Sequence, residues 1–473
     1  MPRILVDSCS IAEQILGERW PGLKPVKEYR ENGYHVYKLV ANCSGSRCPK
    51  CGQMCYKPHA RQWREALDAP LQPHDKTKIV YQIRRFHCSC GCHFTERLEF
   101  LEPRARLTKS MTLYSQQLMR CSTFTLSDLR LITGLSVTTL KKIDKVQLNY
   151  LYSKVDLSPV QNLAIDEFSV FHNHKYATVV IDNDTCKVLW VGRGKSKKSV
   201  QPFFDELKKA GVAWHIRSVS CDQNAAYPTL VRNNLPHAVI IYDFFHVMAH
   251  WHDDVVVAAK KKTIADITAR VTKEVTDKAT KDKRTATKKE ISAAVHAALK
   301  GMTGVDWAMV TPMTNDLKPG KKQRYQQMLD TVVKDNALLA VIYPITEALH
   351  HLWREKSVTE ARARLEDIRQ LLLEIARTYD FKPAKSYAMM LKRREDGILN
   401  AGRFGYTTNR LEGVNNKIKV IKRTAFGYRD LDYFFLRIKA ALPGKYAVPM
   451  FTQLEGKAVI GDQLWQGVWT GVL

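Results

Sequence analysis

The sequence predicts an α/β protein whose largest domain is a mixed-direction sheet, preceded by a small cysteine-rich module and a helical hairpin. Three observations carry this expectation. Most of the cysteines crowd into the stretch from Cys43 to Cys92. Residues 107–145 show helical apolar spacing interrupted by a glycine-containing turn. From Asn162 the apolar period shortens to that of strands and yields the order β-β-β-α-β-α-β-α, after which strands stop.

Composition narrows the class of partner. The chain has 473 residues, with Lys+Arg 74 against Asp+Glu 47, a formal net charge of +27. Hydrophobic residues at 45% and charged residues at 26% are ordinary for folded protein, so folded surfaces carry the excess charge. Such a surface attracts a polyanion, and nucleic acid is the first candidate. A membrane is not expected as a partner, because no apolar run approaches the roughly 18 to 20 residues of a bilayer span. The longest run, residues 337–345, is broken by Pro344. The opening MPRILVDSCSIAEQ lacks the sections of a secretory signal. A cytoplasmic, nucleoid-associated location is expected.

The first module is expected over residues 1–104. Residues 34–40 and 78–86 read as strands, the second with Ile79, Tyr81 and Ile83 alternating. The first strand precedes Cys48-Pro-Lys-Cys51-Gly, and the second precedes Cys88-Ser-Cys90-Gly-Cys92. A Cys-x-x-Cys-Gly knuckle aims two thiolates at one tetrahedral ion, and a second pair about 40 residues on completes a structural zinc shell. Cys48 and Cys51 are firm on spacing. For the remaining places Cys88 pairs with Cys90 or Cys92, and Cys43, Cys55 and His87 are further contenders.

Residues 105–155 form the second module. A helix ending at Ile132 meets Thr133-Gly134-Leu135, and Ser136 caps the next helix. Leu129, Ile132, Leu135, Leu140 and Ile143 would pack the angle between the helices. Ser136, Thr138, Thr139, Lys141 and Lys142 would face a DNA major groove, as in a helix-turn-helix.

The third section, residues 160–250, supplies the sheet. Strands are expected at residues 163–170, 175–181 and 187–191, then a helix at 199–210 with Val200, Phe203, Phe204 and Leu207 inward. A strand at 214–220 runs into Cys221-Asp222, followed by a helix at 224–232, a strand at 237–242 and a helix from Asp243. Three antiparallel strands passing into parallel ones with crossover helices are the ribonuclease H-like arrangement, in which strands one and four are neighbours. Residues 251–400 read as a mostly helical insertion, whose basic run 278–289 is best taken as a solvated face. Residues 401–442 return to the core, and 443–473 form a tail.

Acids stand out in so basic a chain. Asp166 lies in the first strand, Asp222 ends the fourth, Asp243 ends the fifth, and Glu412 lies far downstream on a helix. Asp166, Asp222 and Glu412 could converge and offer hard oxygen ligands to two magnesium or manganese ions about 3.5 to 4 Å apart, the arrangement of phosphodiester transfer. On the Glu412 helix, Asn415, Asn416, Lys419 and Arg423 share its polar side, while Leu411, Val414, Ile418 and Ile421 form an apolar stripe. Asn409, Asn415 and Asn416 are poor helix formers clustered around the acid. Lys417, Lys419, Lys422, Arg423 and Arg429 offer phosphate contacts.

These motifs together resemble the ISL-type (insertion sequence L-three) family of DDE transposases, which carry an N-terminal zinc finger, a helix-turn-helix and a ribonuclease H-like core. The matching text includes Cys48-Pro-Lys-Cys51-Gly, the Arg84 to Glu96 segment, Ile165-Asp166-Glu167-Phe168, Asp243-Phe-Phe-His246 and Asn409-Arg-Leu-Glu412-Gly-Val-Asn415-Asn416-Lys, with Phe426-Gly-Tyr-Arg429 beyond. The resemblance implies Asp166, Asp222 and Glu412 as the catalytic triad and ligands of the catalytic ions. It also implies a supporting role for Asp243 and His246, and favours Cys90 over Cys92 at the zinc. Asp243 could instead replace Asp222 as a ligand or simply cap its helix. The implied activity is cleavage and joining of DNA at terminal inverted repeats and target DNA, by a homodimer or larger assembly. A catalytically silent, DNA-binding regulator and a structure-specific nuclease are the rival classes.

Overall fold

A computed structural model describes residues 18–71, 75–102, 106–120, 124–171, 175–222, 226–312, 317–355, 357–404 and 409–444. They fall into two compact units, one comprising those up to Lys154 with Ile421–Ala440, the other Val155–Val420 with those from Ala441.

The first unit opens with strands β1 (Leu23–Glu31), β2 (Tyr34–Ala41), β3 (Ser46–Arg47), β4 (Met54–Cys55), β5 (Pro58–Asp68), β6 (Lys76–His87) and β7 (His93–Thr95). The main sheet runs β1-β2-β6-β5, with β7 on β6 and β3 paired to β4 alone. Ile79, Tyr81 and Ile83 alternate inward along β6 and meet Leu39, Tyr37 and Trp20 in the core. The buried Arg84 side chain forks onto Glu96, with Nε and Nη2 bonds of 3.0 and 2.7 Å, and donates to the Cys43 carbonyl at 2.8 Å.

Three helices follow: α1 (Lys109–Arg120), α2 (Leu126–Thr133) and α3 (Val137–Tyr152). A Thr125–Asp128 capping box starts α2, and Gly134, at φ +75°, ends it in the left-handed conformation. Ser136 caps α3 by accepting from the Thr139 N–H. Leu129, Leu135, Leu140 and Ile143 are buried between these helices as the sequence predicts, with Ile132 packed partly buried against them. The closing helix, Leu431–Ala441, belongs to the same unit up to Ala440. Its Tyr433 hydroxyl donates to the buried Asp144 at 2.6 Å, and Arg437 reaches the same carboxylate at 3.2 Å.

The second unit holds β8 (Asn162–Phe171), β9 (Lys175–Asp182), β10 (Val188–Arg193), helix α4 (Lys197–Lys209), β11 (Ser218–Cys221), α5 (Ala226–Asn234) and β12 (Val239–Tyr242). The strand order is β10-β9-β8-β11-β12. β8 to β10 are antiparallel, whereas β11 is parallel to both β8 and β12. This mixed α/β order fits the ribonuclease H-like expectation, including the adjacency of the first and fourth strands. One element differs. The expected strand over 214–220 begins only at Ser218, because residues Ala213–His215 form a 3-10 turn that leaves Trp214 71% exposed. Apolar alternation of Trp214 with the buried Ile216 imitated a strand in the sequence.

Beyond β12 the described chain is helical: α6 (Phe244–His250), α7 (Val257–Lys281), α8 (Lys288–Ala298), α9 (Val305–Val310), α10 (Pro319–Met328), α11 (Ala337–Leu352), α12 (Val358–Thr378), α13 (Lys382–Arg393), α14 (Glu395–Phe404) and α15 (Asn409–Thr424). Wider π-helical turns precede α7 and α11. Several of these helices, among them α6, α9, α11, α12, α13 and α14, share one core with the sheet, where Trp251 donates to Thr346 at 2.8 Å and Tyr387 to the Val247 carbonyl at 3.1 Å. Helix α14 covers the β12 edge, which would otherwise offer unpaired backbone. Asn400 donates to the Ile240 carbonyl, and Gly397 lies so close that a Cβ there would stand 2.4 Å from the Tyr242 ring. Among the described residues no helix is long and apolar enough to cross a membrane.

Candidate active site

Strand register brings the acids together. Ile165 pairs with Cys221, and Cys221 pairs in turn with Tyr242. The next residue on each of these parallel strands is an aspartate: Asp166, Asp222 and Asp243. Three carboxylates therefore stand in a row across adjacent strands, at the carboxyl ends of β11 and β12 where α/β sheets place ligands.

Their surroundings are half-buried and mutually polarising. Asp243 caps α6, its Oδ1 accepting the Phe245 N–H at 2.7 Å. Its Oδ2 lies 3.0 Å from His246 Nδ1, which is itself 3.8 Å from Asp222 Oδ1. Burial alone would lower the His246 pKa, but the Asp243 hydrogen bond and the charges of Asp222 and Asp166 push it up to about 9. The imidazolium thus supplies positive charge in the middle of the acids. Burial pushes Asp166 up to about 6, against the Glu167 N–H, the His246 charge and Asn415, which favour the carboxylate.

Helix α15 reaches the same place. Leu411, Val414 and Ile418 are buried, so its apolar stripe docks as expected, with Ile421 half-buried. Asn415 Nδ2 donates to Asp166 Oδ2 at 2.7 Å, and its Oδ1 is buried without a hydrogen-bond partner. Glu412 lies one turn earlier and is exposed, as are Asn416, Lys417 and Lys419. Asn409 begins the helix, and its side chain lies outside the described residues. The Asp166, Asp222 and Glu412 carboxylates do not form a set within 4.8 Å of one another; among the described residues, Cys48, Cys51, Cys88 and Cys90 alone form such a set.

The donor chemistry around Asp166 suits a hard cation. Two carboxylates on neighbouring strands and a buried amide oxygen that has no hydrogen-bond partner are hard oxygen donors.

At the cysteines the geometry suits zinc. Cys48 and Cys90 Sγ are 3.7 Å apart and Cys51 and Cys88 Sγ 3.5 Å apart, near the edge of a tetrahedron with Zn–S bonds of about 2.3 Å. Both knuckles turn on a left-handed glycine, Gly52 at φ +76° and Gly91 at φ +80°. The Cys90 N–H and the neighbouring thiols hold Cys88 down to about 6 although burial opposes them. Cys92 stays outside the set; its carbonyl accepts the Cys88 N–H at 2.9 Å, and its side chain packs with Cys55, Phe86 and Phe94.

The residues proposed for phosphate contact have mixed settings. Ser136, Thr138 and Lys142 are exposed and Thr139 half-buried. Lys141 is engaged inside the unit, 2.9 Å from Asp430 and over the Tyr433 ring. Arg423 and Arg429 are exposed and Lys422 half-buried. Sequence reasoning passed over Glu167, whose carboxylate accepts from the buried Tyr227 hydroxyl at 3.0 Å and faces Lys195 Nζ at 3.4 Å. Its only signal was its place beside Asp166.

Comparison with known proteins fixes the family. A transposase family model, that of the ISL3-type DDE transposases, matches residues 163–438, more than half of the chain. The transposase for insertion sequence element IS1001 of Bordetella parapertussis is 30% identical over 401 residues, covering 84% of this chain and 89% of that protein. The chain belongs to the ISL3-type transposase family. This transposase is also 24% identical over 435 residues to the transposase for IS1557 of Mycobacterium tuberculosis, spanning 86% of this chain and 89% of the relative. A Drosophila P element transposase strand transfer complex aligns with a TM-score of 0.30 and 11% identity, over 70% of this chain and 91% of that one. The matched region of this transposase begins in β8 and runs through α15 into the closing helix, so it contains Asp166, Glu167, Asp222, Asp243 and Glu412.

Proposed function

We propose that the chain is a DNA transposase that binds the terminal inverted repeats of an insertion sequence, hydrolyses phosphodiester bonds to expose 3′-hydroxyls, and joins those ends to target DNA by transesterification. The observation that carries this reading is the register that sets Asp222 beside Asp166, with Asn415 of α15 bonded to the latter. Asp166, Asp222 and Glu412 serve as the catalytic carboxylates. Two magnesium or manganese ions, when held there, activate the attacking oxygen and stabilise the leaving one.

The chain's own groups prepare that site. Asn415 holds the Asp166 carboxylate through its Nδ2, and its buried, unpartnered Oδ1 is a further oxygen donor. Asp243 orients His246, whose charge lessens repulsion among the acids before ions and DNA arrive. Glu412 stands one turn before Asn415 on the same helix, about 4.5 Å along its axis.

Structural zinc on Cys48, Cys51, Cys88 and Cys90 stabilises the first module. The exposed Ser136, Thr138 and Lys142, with the half-buried Thr139, read the inverted repeat, while Lys417, Lys419, Lys422, Arg423 and Arg429 contact phosphate. Two ends must be processed together, so the working form is a homodimer or larger assembly.

The test is incubation of the purified full chain with labelled element-end DNA, a target plasmid, and magnesium or manganese. Free 3′-hydroxyl ends and end-to-target joints are expected. A protein that shifts the DNA without ever cutting it is a regulator, and one that cuts without joining is a nuclease; either result rejects the proposal.

A further inference from the structure

Phe426 sits immediately after α15 and is 98% exposed, with φ at +52°. Both features are costly. A bulky side chain in the left-handed region is strained. A fully solvated aromatic ring forgoes its burial. The chain nevertheless holds this geometry firmly. The Phe426 N–H donates to the Arg423 carbonyl at 3.0 Å, and the Gly427 N–H to the Lys422 carbonyl at 2.9 Å. Two residues on, Tyr428 stacks on the buried Phe434 with ring centroids 4.5 Å apart. The ring is thus presented from an anchored turn and left almost fully exposed among the described residues.

Its neighbours indicate the ligand. Arg423 and Arg429 are exposed on either side in sequence, with Lys422 half-buried. A bare aromatic face flanked in sequence by exposed cations suits a polyanion with accessible π-faces, namely nucleic acid with a base out of its stack. Apolar protein-binding surfaces are depleted of charge at their centre, which this one is not.

We propose that Phe426 is a stacking residue that receives an unpaired or unstacked base of bound DNA, with Arg423 and Arg429 holding the flanking phosphates. This rests on the reading of the chain as a DNA-binding transposase and specifies the state of the DNA it engages.

The experiment compares two DNA duplexes of one sequence, one fully paired and one carrying a single bulged 2-aminopurine, each titrated with the full-length chain. The unsubstituted chain should prefer the bulged duplex by roughly ten-fold, from a stacking contribution of about 1–3 kcal/mol. Emission of the 2-aminopurine should fall on binding. Phe426→Trp and Phe426→Tyr should keep both effects, whereas Phe426→Ala and Phe426→Leu should bring the two affinities together and leave the emission unquenched. Phe426→Gly should raise Tm by a few degrees through relief of the left-handed strain, confirming that the backbone geometry persists in solution.

Retention of the preference by Phe426→Ala overturns the proposal. Equal performance by Phe426→Leu overturns it too, since an apolar contact would then suffice. Failure of the unsubstituted chain to bind either duplex overturns the DNA-binding reading, and the stacking role with it.

Discussion

The side chain of Asn415 donates to the Asp166 carboxylate at 2.7 Å, joining residues 249 positions apart in sequence. That bond ties helix α15 to the strand bearing the first acid. The partner oxygen of the same amide is buried and unpaired. Replacing Asn415 by Leu keeps the branched shape and removes both polar atoms. Manganese affinity, followed by isothermal titration of the DNA-free chain, should fall by about 3- to 10-fold, about 0.7–1.4 kcal/mol. Unchanged affinity would leave Asn415 a packing residue.

The cysteine set makes a sharper forecast. Replacement of Cys48, Cys51, Cys88 or Cys90 by serine should remove bound zinc, measured by elemental analysis of the purified chain, and lower the first transition in thermal unfolding. Cys92→Ser should keep the metal, because Cys92 lies outside the sulfur tetrahedron. A chelator should reproduce the loss in the unsubstituted chain.

Beside that set, Arg84 and Glu96 form a buried, forked ion pair. Glu96→Gln leaves the guanidinium without its counter-charge in a site where water cannot replace it. Chemical denaturation should show a loss on the order of 3 kcal/mol.

Asp430 accepts from Lys141 and Lys145 and caps the closing helix through the Tyr433 N–H. Burial acts to raise its pKa, but these partners outweigh it and hold the carboxyl well below the usual range. A depressed folded-state pKa adds stability above the unfolded value of about 4, and this is lost as pH falls through the folded value. Asp430→Asn should therefore lower Tm at pH 7 by an amount worth on the order of 1 kcal/mol, given the partial exposure of all three groups. The difference between the two proteins should shrink steadily in titrations below about pH 4.

Asp430 also marks a limit of sequence reading. Lys141 was expected on a DNA-facing surface because a helical lysine beside a capped turn looks solvent-directed. Its partner lies far downstream, and no local pattern announces that pairing. The strand order, by contrast, was legible because each strand of the sheet is short, apolar and bounded by turn residues. Adjacency of the first and fourth strands is enough to put Asp166 beside Asp222. The role of Asp243 as a helix cap was legible as one of several alternatives, while its hydrogen bond to His246 needed the fold. Trp214 misled because alternation with one buried isoleucine is also what a short 3-10 turn produces. Glu412 was singled out by sequence, yet its exposed position on α15 is a feature only the structure provides.

The central claim is that Asp166, Asp222 and Glu412 act together on phosphodiester bonds. Single-turnover cleavage of element-end DNA in magnesium or manganese tests it, using the unsubstituted chain, Asp166→Asn, Asp222→Asn and Glu412→Gln, with DNA affinity measured in parallel. The account predicts that each variant binds DNA within about 3-fold of the original and loses cleavage by about 100-fold or more. Cleavage retained by any of the three at near-original rate, with DNA binding intact, would contradict it.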